Sequence, residues 1–239
     1  MVFTTGYGFL FLSIMKKKAL IVAGGRGERM GHDVPKQFLE LCGRPVLMLT
    51  IEKFRHICDE IILVLPKGEF QYWKKLCEIH HFSIPHVLVE GGESRTQSVY
   101  NGVASISGEC LIAIHDGVRP LISEQIITTS FDVAHKQGNA VASVRLKDSI
   151  REVNEGRSKV QQRENFVLIQ TPQTFHLDTL KEAYSRWMAE GMNHSQFADD
   201  ASVAEFYGAS INLIEGSYRN IKITTPEDLK IAEVLMKSA

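Results

Sequence analysis

The sequence lacks the basic excess that usually accompanies binding to nucleic acid. It has 27 lysine and arginine residues against 28 aspartate and glutamate residues, so a nucleic-acid partner is not expected. The hydrophobic fraction of 44% is sufficient for a core and argues against disorder. The length of 239 residues suits one α/β domain or at most two small ones.

Cysteines are few, and long apolar runs are missing. The four cysteines form no C-x-x-C pair and have no histidine at zinc-like spacing, which favours reduced thiols in the cytoplasm. The run FLFLSI is far shorter than the ~20 residues of a membrane span and has no signal-peptide flanks, so no membrane partner is expected. MKKKALIV, from Met15, resembles a natural start. We therefore expect 1–14 to be a non-native or disordered extension and 15–239 to be a single domain.

Strand-like and helix-like patterns alternate along the first part of the domain. The strand-like segments are KALIVAGG, EIILVLP, HVLVEGG, CLIAIHDGVRP and NAVASVRL. Helical patterns separate them, with Pro45 in a first turn, Ser94 and Ser123 as N-caps and Gly138 as a stop. This order predicts an α/β fold with a doubly wound, mostly parallel, Rossmann-like sheet. The polar turns AGGRGER, EGGESR and HDGVRP all follow strands, so they should meet at the rim where such sheets bind ligands.

The pattern changes between about 148 and 170. SIREVNEGRSKVQQRENFVLIQ has the extended, partly alternating pattern of a charged hairpin around an EG turn. An isolated hairpin is marginally stable and exposes strand edges, so we expect a projecting arm that forms a homodimer with a second chain. Two helices, the strand INLIEG, a short strand in NIKIT and a helix capped by Thr225 with Pro226 at its first position complete the prediction.

The loop AGGRGERMGHDVPKQF follows the first strand but fits neither common phosphate-binding motif. A dinucleotide fingerprint requires a third glycine where Met30 stands, and a P-loop requires a Gly-Lys pair. What remains are glycines, whose backbone can approach phosphate oxygens, followed by Arg29 and Lys36. Such cations stabilise the charge that develops during phosphoryl transfer.

Six ordered blocks resemble one enzyme family, the polyol-phosphate cytidylyltransferases, and most closely those specific for 2-C-methyl-D-erythritol 4-phosphate. The blocks are the glycine loop with PKQ, EGGESRTQSVYNG, HDGVRP, QTPQTF, DDASVAE and EGSYRNIKITTPEDL. The resemblance covers nearly everything after Met15. It implies a Rossmann-like nucleotidyltransferase fold and transfer of the cytidylyl group of CTP to the polyol phosphate, with Mg²⁺ as the divalent cation. The alternative alcohol is ribitol 5-phosphate.

The resemblance also implies residue roles. Arg29 and Lys36 would stabilise the transition state. The residues implied to contact CTP are Ala23, Gly24, Gly25, Gly92 and Ser98. Those implied to position the polyol phosphate are Arg163, Lys222, Asp116, Thr171, Arg119 and Ser149.

Several of these roles have alternatives. Ser98 is otherwise a helix-interior serine. Asp116 would either organise the Mg²⁺–triphosphate region or bind substrate hydroxyls. Arg119 is either a phosphate contact or the structural partner of Asp116, and His115 is expected to pack at the strand end. Because Arg163 lies on the arm, it is a candidate for the partner subunit's site.

The chain departs from the common family pattern in three places, namely Gly117 with Val118, Ala198 in place of a threonine, and Ser149 in place of a threonine on the arm, and we expect these changes to touch the polyol pocket. The remaining rivals belong to other classes. A nucleotide-binding module without catalysis is disfavoured by the joint presence of Arg29, Lys36, Arg163 and Lys222, and a dinucleotide-dependent oxidoreductase is disfavoured by Met30.

Overall fold

A central sheet of seven strands organises the chain. The computed structural model describes residues 15–24, 34–192 and 196–238; the predicted extension 1–14 lies outside them. The strands are β1 (Lys16–Val22), β2 (Glu40–Leu41), β3 (Arg44–Pro45), β4 (Glu60–Leu65), β5 (Val87–Glu90), β6 (Cys110–Asp116), β7 (Asn139–Arg145), β8 (Ile150–Asn154), β9 (Arg157–Gln161), β10 (Val167–His176) and β11 (Leu213–Glu215). The helices are α1 (Val46–Phe54), α2 (Phe70–Ile79), α3 (Arg95–Ala104), α4 (Glu124–Gln137), α5 (Leu177–Glu190), α6 (Asp200–Phe206) and α7 (Pro226–Lys237).

The central sheet has the order β11-β7-β10-β6-β1-β4-β5. All pairs are parallel except those of β10, which runs antiparallel to both β6 and β7. The predicted doubly wound, mostly parallel α/β fold is therefore confirmed. None of the helices within the described ranges has the length and apolar character needed to cross a bilayer.

Helices cover both faces of the sheet. Alternate residues of β1 enter different cores: Ala19 and Ile21 pack with side chains of α1, α2 and α4, whereas Leu20 and Val22 pack with those of α3, α5 and α6. Because successive side chains of a strand point to opposite faces, a strand buried on both sides is apolar throughout. This explains the continuous apolar run at the start of the domain.

The predicted helix ends agree with the structure at most positions. Ser94, Ser123 and Thr225 each cap a helix with the side-chain oxygen, and Gly138 follows α4 with a φ of 93°. Pro45 lies at the N-cap of α1 and not within its first turn. These caps are local interactions, so the sequence is sufficient to predict them.

Other features differ from the prediction. The short strand expected in NIKIT is absent, since 220–224 has no regular structure. The arm expected over 148–170 is shorter: the separate two-stranded sheet of β8 and β9 ends at Gln161.

The residues after 166 belong to β10, which was not predicted because Pro172 argues against a central strand. Pairing of β10 with β7 shifts in register between Ile169 and Gln173, and this irregularity accommodates the proline.

Candidate active site

The three polar turns predicted to meet begin on one rim of the sheet. In the parallel register, Val22 at the end of β1 is the partner of Asp116 at the end of β6, and Leu65 at the end of β4 is the partner of Glu90 in β5. The loops that begin at Ala23 and Gly91 therefore leave the sheet at the same edge as Asp116. This rim is the candidate active site.

Ser98 joins the two glycine loops of the rim. It is 2% exposed, and its hydroxyl accepts a hydrogen bond from the Gly92 N–H at 3.0 Å and donates to the Ser94 carbonyl at 2.8 Å. A Cβ on Gly24 would lie 3.2 Å from the Ser98 Oγ, so only a glycine fits without adjustment. Ser98 thus holds a wall of backbone that includes Gly24 and Gly92. The fifth predicted CTP contact, Gly25, lies outside the described residues.

Lys36 is held next to this wall by its neighbours. The turn Lys36–Phe38 is a 3-10 turn. Gln37 is 1% exposed, and its Nε2 donates to the Ala23 carbonyl at 2.9 Å. Phe38 packs against the rings of Tyr72 and Trp73. These contacts fix the position of Lys36 relative to Ala23, where the loop after β1 begins. The role of Gln37 was not predicted, because a glutamine beside a lysine carries no local signal for burial.

The other predicted catalytic residue, Arg29, lies outside the described residues.

Asp116 lies at the centre of a cluster of three cations. Its Oδ2 is 3.0 Å from Arg119 Nε and 3.0 Å from Lys222 Nζ, and its Oδ1 is 3.5 Å from Arg95 Nε. Burial alone would raise the Asp116 pKa, but Arg95, Lys222 and Arg119 lower that pKa well below its ordinary value. Asp116 is therefore ionised. Three residues that the sequence predicted for the site, Asp116, Arg119 and Lys222, lie together in this cluster.

Arg95 links this cluster to a second buried carboxylate, Asp200, which sequence analysis missed. The guanidinium forms two hydrogen bonds with Asp200, at 3.1 and 2.8 Å, and Tyr184 donates to the same carboxylate at 2.6 Å. Burial would lower the Arg95 pKa, but the carboxylates of Asp200 and Asp116 raise it. The sequence did offer one signal for a role in the site: Arg95 lies in the block EGGESR and Asp200 lies in the block DDASVAE. Their pairing has no local signal because 105 positions separate them.

Thr171 supports Asp116 from behind. Thr171 is 4% exposed, and its Oγ1 accepts from the Asp116 N–H at 3.1 Å and lies 3.0 Å from His115 Nδ1. His115 Nε2 lies 3.2 Å from the Arg119 carbonyl, and burial lowers the His115 pKa to about 4. The expected packing of His115 at the strand end is confirmed. The Thr171 hydroxyl already has two protein partners, which favours a supporting role over substrate contact.

Arg119 makes structural contacts on two sides. Besides its contact with Asp116, its Nη1 donates to the Asn220 carbonyl at 2.8 Å. Its side chain is 11% exposed. Arg119 therefore joins the end of β6 to the loop that carries Lys222.

Arg163 and Ser149 belong to a second group at the base of the arm. Arg163 Nη1 donates to the Lys147 carbonyl at 2.6 Å, and its side chain is 48% exposed. Ser149 is also exposed. Arg163 lines an open groove together with Arg145, Leu146, Lys147 and Glu164. This group presents its cations to solvent, unlike the cluster around Asp116.

The first departure from the family pattern, at Gly117 and Val118, concerns packing. A Cβ on Gly117 would lie 2.8 Å from Ala23 Cβ and 3.0 Å from Leu47 Cδ1. Val118 is 5% exposed and packs in a core with residues of α1 and α7. The expectation that these two positions touch the polyol pocket was wrong for Val118, whose side chain is interior. Ala198 is exposed.

The tentative assignment of Asp116 as a metal ligand fits the structure poorly. The Oδ2 atom already receives two cationic donors, and a metal ion there would meet their charge. Within 15–24, 34–192 and 196–238, no group of three or more histidine, cysteine, aspartate and glutamate residues is placed to hold a metal. The described residues therefore do not form a protein cage for Mg²⁺.

Comparison with known proteins gives a consistent match. Residues 18–238 match the family model described as 2-C-methyl-D-erythritol 4-phosphate cytidylyltransferase. Relatives with that name include those of Phocaeicola vulgatus, 44% identical with 93% of this chain and 100% of the relative covered, and Porphyromonas gingivalis, 45% identical with 93% and 99% covered.

Solved structures agree with the sequence relatives. The enzyme of that name from Thermus thermophilus is 31% identical, with a TM-score of 0.78 and coverage of 93% of this chain and 100% of that one. The 4-diphosphocytidyl-2C-methyl-D-erythritol synthase from Anaerococcus prevotii is 27% identical, with a TM-score of 0.80 and coverage of 93% and 99%. The similarity thus extends over nearly the whole of each chain.

Proposed function

The chain belongs to the 2-C-methyl-D-erythritol 4-phosphate cytidylyltransferase family, and we propose that it transfers the cytidylyl group of CTP to that alcohol phosphate in isoprenoid biosynthesis. A phosphate oxygen of the alcohol attacks the α-phosphorus of CTP. The new P–O bond replaces the bond between the α-phosphorus and the bridging oxygen, and pyrophosphate leaves. The product is 4-diphosphocytidyl-2-C-methyl-D-erythritol. The observation that carries this proposal is the gathering of Lys222, Arg119 and Arg95 around Asp116, beside a wall of glycine backbone.

CTP would bind against that wall. Ala23, Gly24 and Gly92 bring backbone to the nucleotide, and small residues permit the close approach. Gly25 is assigned the same role from the sequence. Ser98 acts indirectly, since its hydroxyl is used to hold Gly92 and Ser94. Backbone amides and carbonyls of this kind distinguish cytosine by hydrogen bonding.

Catalysis would depend on charge and position, without a covalent intermediate. The attacking phosphate oxygen is already ionised, so no general base is required. Lys36 and Arg29 would stabilise negative charge as it moves toward pyrophosphate. The attachment of the Lys36 turn to the Ala23 carbonyl through Gln37 supports this role, because it fixes a cation beside the nucleotide loop.

The alcohol phosphate would bind between the Asp116 cluster and the base of the arm. Lys222 and Arg163 suit its phosphate group, Lys222 as a point charge and Arg163 as a planar fork. Asp116, held as a carboxylate, accepts hydrogen bonds from the alcohol's hydroxyl groups, and Ser149 offers a further hydroxyl. Arg119 and Thr171 position Asp116 and do not touch the substrate.

Mg²⁺ is the divalent cation proposed for the reaction, where it would neutralise triphosphate charge. Because Mg²⁺ is commonly bound through substrate phosphates with few protein ligands, the poor fit at Asp116 does not oppose a requirement for the ion. Activity lost in EDTA and restored by added Mg²⁺ is the expected result. Full activity in EDTA would refute it.

The arm would form a homodimer. Its sheet of β8 and β9 exposes Val153 by 72% and Val160 by 63%, and the segment that follows exposes Phe166 and Leu168. A second chain would cover these apolar side chains and the free strand edges. Light scattering should give twice the chain mass, and a monomer mass at assay concentration would contradict the dimer.

Cytoplasmic localisation is proposed from the four free thiols.

A pyrophosphate-release assay with CTP and a panel of polyol phosphates tests the function. The expected result is a higher kcat/KM for 2-C-methyl-D-erythritol 4-phosphate than for ribitol 5-phosphate. The alternative alcohol would be preferred if the order were reversed. The relatives described above are all named for methylerythritol or its product.

A further inference from the structure

Asn220 precedes Lys222 by two positions and is fully buried, although the two residues before it are exposed. Its Nδ2 donates to the Thr171 carbonyl at 2.8 Å and to the Gln170 Oε1 at 3.3 Å. A buried amide costs free energy unless it is hydrogen-bonded, so these bonds to β10 hold the backbone at position 220 in place. The loop that carries Lys222 is thus anchored by a side chain that the sequence did not single out.

Gln170 provides a second amide anchor for the same loop. It is buried; its Nε2 donates to the Ser217 carbonyl at 2.9 Å, and its Oε1 accepts from the Ser217 N–H at 3.2 Å. The side chain pairs with both backbone groups of one residue, as a neighbouring strand would. A Cβ on Gly216 would lie 2.5 Å from the Gln170 Oε1, so this approach depends on a glycine.

The anchors lie on both sides of Lys222. Thr171 has no register partner in either strand beside β10, and its carbonyl accepts from Asn220. After Lys222, the Ile223 N–H donates to the Val118 carbonyl at 2.9 Å. The backbone that carries the ammonium group is therefore fixed at two points.

Both members of the ion pair between Asp116 and Lys222, whose Oδ2 and Nζ are 3.0 Å apart, are tied to this network. The Thr171 hydroxyl accepts from the Asp116 N–H, and the Thr171 carbonyl accepts from Asn220. Arg119 donates to the Asp116 carboxylate with Nε and to the Asn220 carbonyl with Nη1. Because a lysine side chain has high conformational entropy, fixing its backbone favours the geometry in which its ammonium group lies at Asp116.

We infer that Asn220 and Gln170 are positioning residues that hold the Lys222 ammonium group at Asp116 and thereby increase affinity for the phosphate of the alcohol substrate. The inference deepens the proposed function and rests on it for the identity of the ligand. The two amides act through Lys222. An amide suits this place because it supplies a donor and an acceptor without adding a charge beside the cations of the site.

The first test compares Asn220→Ala with the matched control Asn139→Ala. Asn139 is also a buried asparagine whose amide attaches a loop to the sheet, through Ser210 and Asn212. It begins β7, so it lies at the edge of the sheet opposite to the end of β6. Both variants should lose similar stability in urea unfolding, because each loses buried hydrogen bonds.

Only Asn220→Ala should weaken binding of the alcohol phosphate. Loss of about one hydrogen bond to the substrate corresponds to a rise of about threefold to tenfold in its KM, while KM for CTP should not change. An unchanged KM for the alcohol phosphate would overturn the inference. An equal rise in KM for CTP, or the same rise in Asn139→Ala, would show a structural role alone and would also overturn it.

Gln170→Ala keeps the inference testable if Asn220→Ala does not fold. It removes both bonds to Ser217 and leaves the bond between Asn220 and Thr171, so KM for the alcohol phosphate should again rise. In combination with Lys222→Met, neither alanine variant should raise that KM further, because both act through the ammonium group. Multiplied effects would mean that the amides act by another route and would contradict the inference.

A spectroscopic measurement separates failure of this inference from failure of the proposed function. In protein with ¹³C-labelled lysine, the Lys222 Cε–Hε signal is identified by its absence in Lys222→Met. It should move in Asn220→Ala and stay in place in Asn139→Ala. An unmoved signal in Asn220→Ala contradicts the positioning role, whereas a wild-type protein that releases no pyrophosphate contradicts the function and leaves this measurement decisive.

Discussion

The molecule holds its functional charges in two different ways. Around Asp116, carboxylate and cations neutralise one another, and the Asp116 side chain is only 8% exposed. At the base of the arm, cations are presented to solvent; the Arg163 side chain is 48% exposed. Removing one partner of a buried ion pair lowers the free energy of unfolding strongly, because it leaves a buried charge without compensation. Removing an exposed charge has little effect on the free energy of unfolding. The two regions should therefore respond to substitution in opposite ways.

The largest effect is expected for Lys36→Ala, which removes the cation that Gln37 anchors beside Ala23. Loss of one group that stabilises transition-state charge reduces kcat by about 10²- to 10³-fold. The melting temperature should stay close to wild type because the turn is anchored by Gln37 and Phe38. Lys136→Ala, at the exposed last turn of α4, is the control. Wild-type turnover in Lys36→Ala would remove Lys36 from the mechanism.

Asp116→Asn probes the buried cluster and should affect stability and activity together. It leaves three cations without their shared carboxylate, at a cost of about 3 kcal/mol in the free energy of unfolding. Asp132→Asn provides the comparison, because the Asp132 side chain is 57% exposed and forms an ion pair with Lys17 at 3.9 Å. That change should cost less than about 1 kcal/mol. Equal losses in urea unfolding would abolish the distinction between the two regions.

The pH dependence of stability should also report on the interior. His115 is neutral in the folded protein because burial lowers its pKa from 6.5 to about 4. Between these values the unfolded chain binds the extra proton, so the free energy of unfolding falls as the pH is lowered, by at most about 3 kcal/mol. Urea unfolding from pH 7 to 4 measures this slope.

The variant His115→Gln tests the assignment of that slope. It should be less stable than wild type at pH 7, with a flatter dependence above pH 4. An undiminished slope would assign the effect to other groups. Below the ordinary pKa of 3.8, protonation of Asp116 removes further stability, because its folded pKa is depressed.

Among the four predicted effects, that of Arg163→Ala should be the smallest. It should be confined to substrate binding. Loss of a charge-assisted hydrogen bond raises KM for the alcohol phosphate by about tenfold to a hundredfold. Stability and KM for CTP should be retained. Arg163→Lys should recover only part of the affinity, because lysine lacks the planar fork. A change in melting temperature comparable to that of Asp116→Asn would place Arg163 among the interior charges.

Local features of the fold were predictable from the sequence, and those that depend on distant residues were not. Ser94 and Thr225 cap helices through contacts within four residues, so the signal is local. Strand β10 was missed because Pro172 opposes a central strand until a register shift is known. The site shows the same division: Asp116 and Lys222 were identified, but Arg95 with Asp200 was not, since folding alone brings those two side chains together.

The antiparallel strand has a consequence for how the arm is built into the chain. β7 and β10 are consecutive in the central sheet, and Arg145 is the register partner of Val167. The whole arm is therefore an insertion in what is otherwise a β-hairpin. A two-residue turn that replaced 146–166 would close this hairpin without changing the order of the sheet, which makes the arm a detachable module of the fold.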